Sequence, residues 1–261
     1  MLSEGYSGSE LQWVEEVCRR GAIVSLLMQS TTGQCPFGGR SNQFHFVEAH
    51  FACLCECRAR YYHARGQAAL AGAFKRAGRR AIAMTRPWVT GIQPFRHTKQ
   101  GFLPSLEHGV DSGGYYSVYG LLMASLCATA YHLADDNIPE VITPAELGGY
   151  VLQLSPAFHK VFATCAGYHM QIDTRADLSK DATGLGRFHH EGAWPETALS
   201  MPITATPPYS FCFQTPLRNM AIGPAWLDAE GNQHRLAYFS DEPEQVTLVV
   251  HQQTPGHVAF D

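Results

Sequence analysis

The order of apolar and polar positions divides the chain into a helical first part and a strand-rich second part. Leu11, Val14, Val17 and Cys18, then Ile23, Leu26 and Leu27, recur at helical spacing and predict a helix over residues 9 to 29. Thr31 to Gly39 reads as a loop, broken by Pro36 and the pair Gly38-Gly39. Ser41 is placed to cap a second helix that runs to about His63. Gly66 separates it from a third, Ala-rich helix ending near Thr85, ahead of Pro87. Residues 87 to 114 are irregular and rich in Gly and Pro. Tyr115 to Ala134 predicts a fourth helix, with Val118, Leu121, Leu122, Leu126 and Ala130 as its apolar stripe.

After Asp135-Asp136 the period changes. Pro139, Pro144 and Gly148-Gly149 mark a corner, and short strands follow. They are expected at Val151 to Leu154, Val161 to Asp173, Ala198 to Thr204, Met220 to Leu227, His234 to Phe239, Val246 to Gln252 and His257 to Phe260. In the second of these, Tyr168, Met170 and Ile172 alternate with His169, Gln171 and Asp173. Asp228 to Asn232 reads as a turn. Helices first and strands second predict an α+β chain, helical over 1–140 and antiparallel β over 141–261. The helices are few for a bundle that must also cover a sheet, and the final strand has no visible partner. Both features predict a piece of a longer protein.

Composition narrows the function classes. The 261 residues are 45% hydrophobic and 16% charged, with a net charge of −4 and a pI near 6.3, which argues against a nucleic-acid partner. Lys75, Arg76, Arg79 and Arg80 fit the wet side of a helix. No apolar run has the roughly 20 residues of a membrane span, and no signal peptide opens the chain, so a cytoplasmic location is slightly favoured. Eight cysteines are present; Cys53, Cys55 and Cys57 read as small apolar side chains of a core rather than metal ligands.

Three stretches carry candidate chemistry. In the first, Gly38 to Glu48, a Gly-Gly loop delivers Arg40, Asn42, Gln43 and His45 to a helix N-terminus, where an anion such as a carboxylate is favoured. Glu48 has His45, Phe44, Phe51 and Ala52 as helical neighbours, and a carboxylate among aromatic rings holds its proton as a general acid must. The plainer reading is a capped helix in which Glu48 pairs with an arginine. The second stretch holds His97, then His108, Asp111, Tyr115, Tyr116 and Tyr119. There Asp111 is a base or a helix cap, and the tyrosines stack on sugars, donate protons or pack in the core. The third, in the β part, holds His159, Lys160, His169, Asp173, Asp177, Asp181 and Gly184 to His190. His169 is a candidate proton donor facing a cleft. Three histidines, His169, His189 and His190, suggest a metal only weakly, and the aspartates lack the pattern of a calcium loop.

A polar helix start, an Asp-Gly- and Tyr-rich loop opening a helix, and a β part supplying histidine resemble the (α/α)-toroid plus antiparallel β-sandwich enzymes. These include heparinase II/III-like and alginate-type polysaccharide lyases. Gly38 to Glu48, Glu107 to Gly120 and Phe158 to His190 are similar to a bacterial group of the same layout containing β-glucuronidase-type glycoside hydrolases. The resemblance implies a partial toroid followed by a sandwich, and a glycan-cleaving site between them for a uronic-acid-containing oligo- or polysaccharide. It implies Glu48 and Asp111 as a hydrolase's carboxylates. In a lyase it implies Arg40, Asn42 and Gln43 on the uronate, with Tyr115, Tyr116 and His169 moving protons. His45, His97 and His108 join the substrate-binding set. No cofactor is expected, although some relatives carry a structural divalent metal in the β domain. Because the ring's earlier helices have no counterpart in this reading, the chain is expected to be inactive alone, to complete its cleft with a partner or a second copy, or to bind carbohydrate without cleaving it.

Overall fold

A computed structural model describes residues 5–36, 44–90, 118–154, 158–175, 183–193, 225–235 and 248–261. Its helices are α1 (Gly8–Met28), α2 (Phe46–His63), α3 (Ala68–Thr90), α4 (Val118–Leu133) and the short α5 (Pro144–Leu147). The strands follow in antiparallel units. β1 (Tyr150–Gln153), β2 (Lys160–Cys165), β3 (Tyr168–Asp173) and β4 (Gly184–His190) form a meander in that order. β5 (Ala225–Leu227) pairs with β6 (Gln233–Arg235), and β7 (Val250–Thr254) with β8 (His257–Phe260). The chain is α+β, with helices preceding strands.

The helical core rests on small residues. Ala49, Ala52 and Ala59 of α2 and Ala71, Ala77 and Ala81 of α3 are buried. A Cβ added at Gly78 would lie 2.9 Å from the Cys55 Cβ, so the helices approach too closely there for a side chain. Tyr62 and Phe74 stack at 5.5 Å beside this seam. The Lys75 ammonium, expected in water, is instead buried against Glu56, with Nζ 2.9 Å from Oε2 and 3.1 Å from Oε1. Its helical position turns it toward α2, and the carboxylate makes that burial tolerable.

The other basic residues of α3 hold the corner between the helices and the sheet. Arg76 and Arg80 both donate to Glu146 of α5, and Glu146 and Thr143 form a capping box. Arg79 pairs with Asp136. Burial by itself would raise the Glu146 carboxyl, but hydrogen bonds from Arg76 and Thr143 and the Arg80 charge outweigh it and hold the group down at about 2.

Several expectations change. α3 continues past Pro87 to Thr90 because the proline lies in the last turn, where only one helical bond is lost. Ser41 lies outside the described residues, and His45 occupies the N-cap position of α2. The stripe of α4 is half realised: Ala130 is buried, whereas Val118 and Leu121 are 66% and 65% exposed. Cys53 and Cys55 are core residues as expected, but Cys57 is exposed. The long strand over Val161 to Asp173 folds back on itself at Ala166-Gly167, both with positive φ, which makes it the hairpin β2–β3. Gly184 to His190, not predicted as a strand, is β4. The final strand does have a partner, β7.

Removing one member of the buried pair leaves an uncompensated charge. Lys75→Met is expected to cost about 3–5 kcal/mol in denaturant unfolding, and adding Glu56→Met to recover most of it. For Glu146, the unfolded chain takes up its proton near the ordinary 4.5 and the folded chain only near 2. Stability from this group is complete above 4.5 and is lost as pH falls toward 2. Glu146→Gln should therefore flatten the melting temperature over that window, a contribution of roughly 1–3 kcal/mol given the water that reaches Arg76.

Candidate functional site

The central sheet turns its polar residues inward. On β3, His169, Gln171 and Asp173 are 0%, 1% and 2% exposed, whereas Tyr168 is 44% exposed. The register gives each a neighbour on the same face: His169 faces Thr164 and His189, Gln171 faces Phe162 and Arg187, and Asp173 faces Lys160. The outward face carries Tyr168, Phe188 and His190, with the first two rings stacked at 5.6 Å. Hydrophobic alternation alone would put those rings inside. The polar set goes inside because it meets a polar partner, the turn between α1 and α2.

That turn is tightly held. Gln29 is buried and donates from Nε2 to Gly33 O at 2.9 Å and Ala77 O at 3.0 Å. Gly33 has φ +99, and a Cβ there would lie 2.9 Å from Arg80 O. Arg80 donates to Thr31 O. The end of α1 and the turn then meet the sheet at three points. Tyr150 OH donates to Leu27 O at 2.7 Å, Ser30 Oγ shares a 2.7 Å hydrogen bond with His189 Nδ1, and Arg187 Nη1 donates to Cys35 O. Cys35 N in turn donates to Glu48 Oε1 at 3.2 Å. One peptide segment thus links a guanidinium of the sheet to a carboxylate of α2.

Glu48 is completely buried. Beside it, Phe44, Phe46 and Tyr119 form a three-ring stack, with Phe44 and Tyr119 at 4.6 Å. Tyr119 opens α4, so the start of that helix is fastened to the start of α2. His45, between the two phenylalanines, is also buried. Ends of all three candidate stretches therefore converge here: the first through His45 and Glu48, the second through Tyr119, the third through His169, Arg187 and His189. Arg40, Asn42, Gln43, His97, His108, Asp111, Tyr115 and Tyr116 lie outside the described residues, as do Asp177 and Asp181.

His169 does not face an open cleft. Its ring is enclosed, with Nδ1 2.9 Å from Thr164 Oγ1 and a buried Nε2 that has no hydrogen-bond partner among the described residues. Burial, helped by the Arg187 charge, pushes its pKa down to about 3, so the ring is neutral near pH 7. Burial also pushes the Tyr150 phenol up to about 12. The three-histidine reading fails on geometry: His169 and His189 share one face, and strand alternation puts His190 on the other. Among the described residues no group of three or more His, Cys, Asp or Glu is arranged to hold a metal ion, and no helix is long and apolar enough to cross a membrane. An open groove of about 440 Å³ between α1, α3 and α5 is lined almost wholly by apolar side chains such as Leu26, Leu70, Val141 and Leu147, and offers no reactive group.

The sequence reading did not single out Ser30, Gln34 or Cys35. They lie in what reads as an ordinary loop. The signal available was the unbroken polar run Gln29-Ser30-Thr31-Thr32-Gly33-Gln34, which leaves an apolar helix without any charge.

A histidine buried neutral destabilises the fold in acid. The unfolded chain protonates His169 near 6.5 and the folded chain only near 3, so its contribution is complete above 6.5 and is lost as pH falls toward 3. His169→Gln is expected to lessen the drop in melting temperature between pH 7 and pH 4, read by circular dichroism. An unchanged slope would remove His169 as its source.

Comparison with protein-family models, with curated proteins and with solved structures returns no match for this chain.

Proposed function

We propose that the chain is the core of a carbohydrate-active enzyme that cleaves a uronic-acid-containing glycan by hydrolysis, in the manner of a β-glucuronidase. The architecture in this reading is a partial (α/α) toroid followed by an antiparallel β-sandwich. One observation carries it. A carboxylate, a guanidinium and two imidazoles gather where the helices meet the sheet, at Glu48, Arg187, His169 and His189. That junction is where the resemblance puts a glycan site, and clustered titratable groups at a junction are a recognised mark of one.

The roles divide by exposure. Asp111 is the proposed second carboxylate, and Arg40, Asn42, Gln43, His97 and His108 the proposed contacts to the sugar and its carboxylate. Glu48 is enclosed in the free chain, with Oε1 held by Cys35 N. Proton donation by Glu48 therefore requires a rearrangement when substrate binds. Without one, it acts by positioning the segment that follows Cys35, and His45 beside it does the same. The neutral, enclosed His169 fits a positioning task better than proton donation.

A second reading, β-elimination, draws on the Tyr119 stack. It fastens the start of α4 to Phe44 and Phe46, and Tyr115 and Tyr116 shortly precede that helix in the sequence.

The two readings separate in one assay. The purified chain is incubated with glucuronate-capped oligosaccharides and followed by mass and ultraviolet absorbance. Hydrolysis gives products heavier by one water and no new absorbance; elimination gives the absorbance of a 4,5-unsaturated uronate. If Glu48 is the acid, Glu48→Gln should lower kcat by about 100-fold or more. A variant that keeps wild-type kcat sinks the acid role, and a wild-type chain that yields neither product leaves carbohydrate binding without cleavage as the reading to test.

A further inference from the structure

The junction of α2 with α4 gathers thiols that the proposed chemistry does not use. Cys53 is buried with Ala52 and Ala130, flanked by Ile82 and Leu126. Its thiol donates to Leu126 O at 2.9 Å, so the sulfur lies directly on the α4 backbone. The next residue is Cys127, half-buried and free. Cys127 follows that carbonyl in α4, and its thiol is near enough to act electrostatically on the Cys53 thiol, as that of Cys57 also is. Cys57 lies one turn further along α2 and is exposed. Cys55 points away, into the core cluster that holds Cys35.

We propose that Cys53 and Cys127 are an oxidative modification site, where a hydroperoxide closes a disulfide that staples α2 to α4. The Cys127 thiolate attacks the peroxide, the O–O bond breaks, and a sulfenic acid forms with release of an alkoxide or hydroxide. The Cys53 thiolate then attacks the sulfenic sulfur, the S–S bond forms and hydroxide leaves. The two thiol protons neutralise the two oxyanions released. The thiols lose two electrons and the peroxide gains them.

Burial, followed by the neighbouring Cys57 and Cys127, raises the Cys53 thiol, and burial raises Cys127. Both react as thiolates, so the reaction is slow near pH 7 and quickens in mild alkali. The staple closes a covalent ring between residues 53 and 127 and fixes the middle of α4 against α2.

The test treats the intact chain with hydrogen peroxide at pH 8, blocks remaining thiols, digests without reductant and maps cross-links by mass. The expected product joins the Cys53 and Cys127 peptides and is lighter by two hydrogens. It survives Cys57→Ser, disappears with Cys127→Ser, and raises the melting temperature by roughly 5 °C or more until reductant is added. A bridge from Cys127 to Cys57 overturns the assignment, as does a bridge confined to Cys35 and Cys55, or both thiols remaining open to alkylation after peroxide. The mapping uses the unaltered chain, so it stands even where a variant does not fold.

Discussion

The structure depends on the burial of charge and polarity at one seam, where Arg187, Ser30, His189 and Glu48 meet partners across it. Arg187 donates to Cys35 O, and Cys35 N donates to Glu48, so a single peptide segment answers a guanidinium on one side and a carboxyl group on the other. An isolated buried charge costs several kcal/mol, whereas a charged hydrogen bond returns about 1.5–3 kcal/mol. The seam is therefore stable only when both halves are in place. Sheet and helices depend on each other here: β4 meets the turn after α1 through His189 and Arg187, and the turn buries Ser30 and Cys35 against them.

The same constraint explains why β3 and β4 bury their polar side chains. A meander with one apolar and one polar face ordinarily hides the apolar one. Here Tyr168 and Phe188 are left outside while His169, Gln171 and Arg187 are enclosed. Cross-strand pairing makes the inversion workable, since Thr164, His169 and His189 lie side by side, as do Gln171 and Arg187, and Lys160 with Asp173. A polar layer so confined has few alternative arrangements, and every member of it is a potential site group. That combination of rigidity and titratable chemistry is what a catalytic junction needs from its scaffold.

The helical part solves a different problem. α2 and α3 lie close because Gly78 and a run of alanines remove bulk, and the resulting seam is sealed by the Tyr62–Phe74 stack and the Lys75–Glu56 pair. Arg76 and Arg80 then reach Glu146, and Arg80 also reaches Thr31. α3 thereby holds both the corner into the sheet and the turn that meets it. A change in α3 is felt at the candidate site without touching it.

The sequence by itself determined the class of the chain and the number of its described long helices, because helical spacing and the switch to alternation are local properties. It also marked Glu48, His169 and the Gly184 to His190 stretch as chemically loaded. It could not say which face of β3 is buried, because alternation reveals that two faces differ and not which partner each will meet. Nor could it place Lys75, whose burial depends on Glu56 nineteen residues away. The hairpin at Ala166-Gly167 was hidden by a turn pair less telling than Asn-Gly, and β4 by its glycines and charges. Ser30 and Cys35 became site residues only in three dimensions, since a loop's polar groups acquire meaning from what buries them, and that is decided by tertiary contacts between segments more than a hundred residues apart.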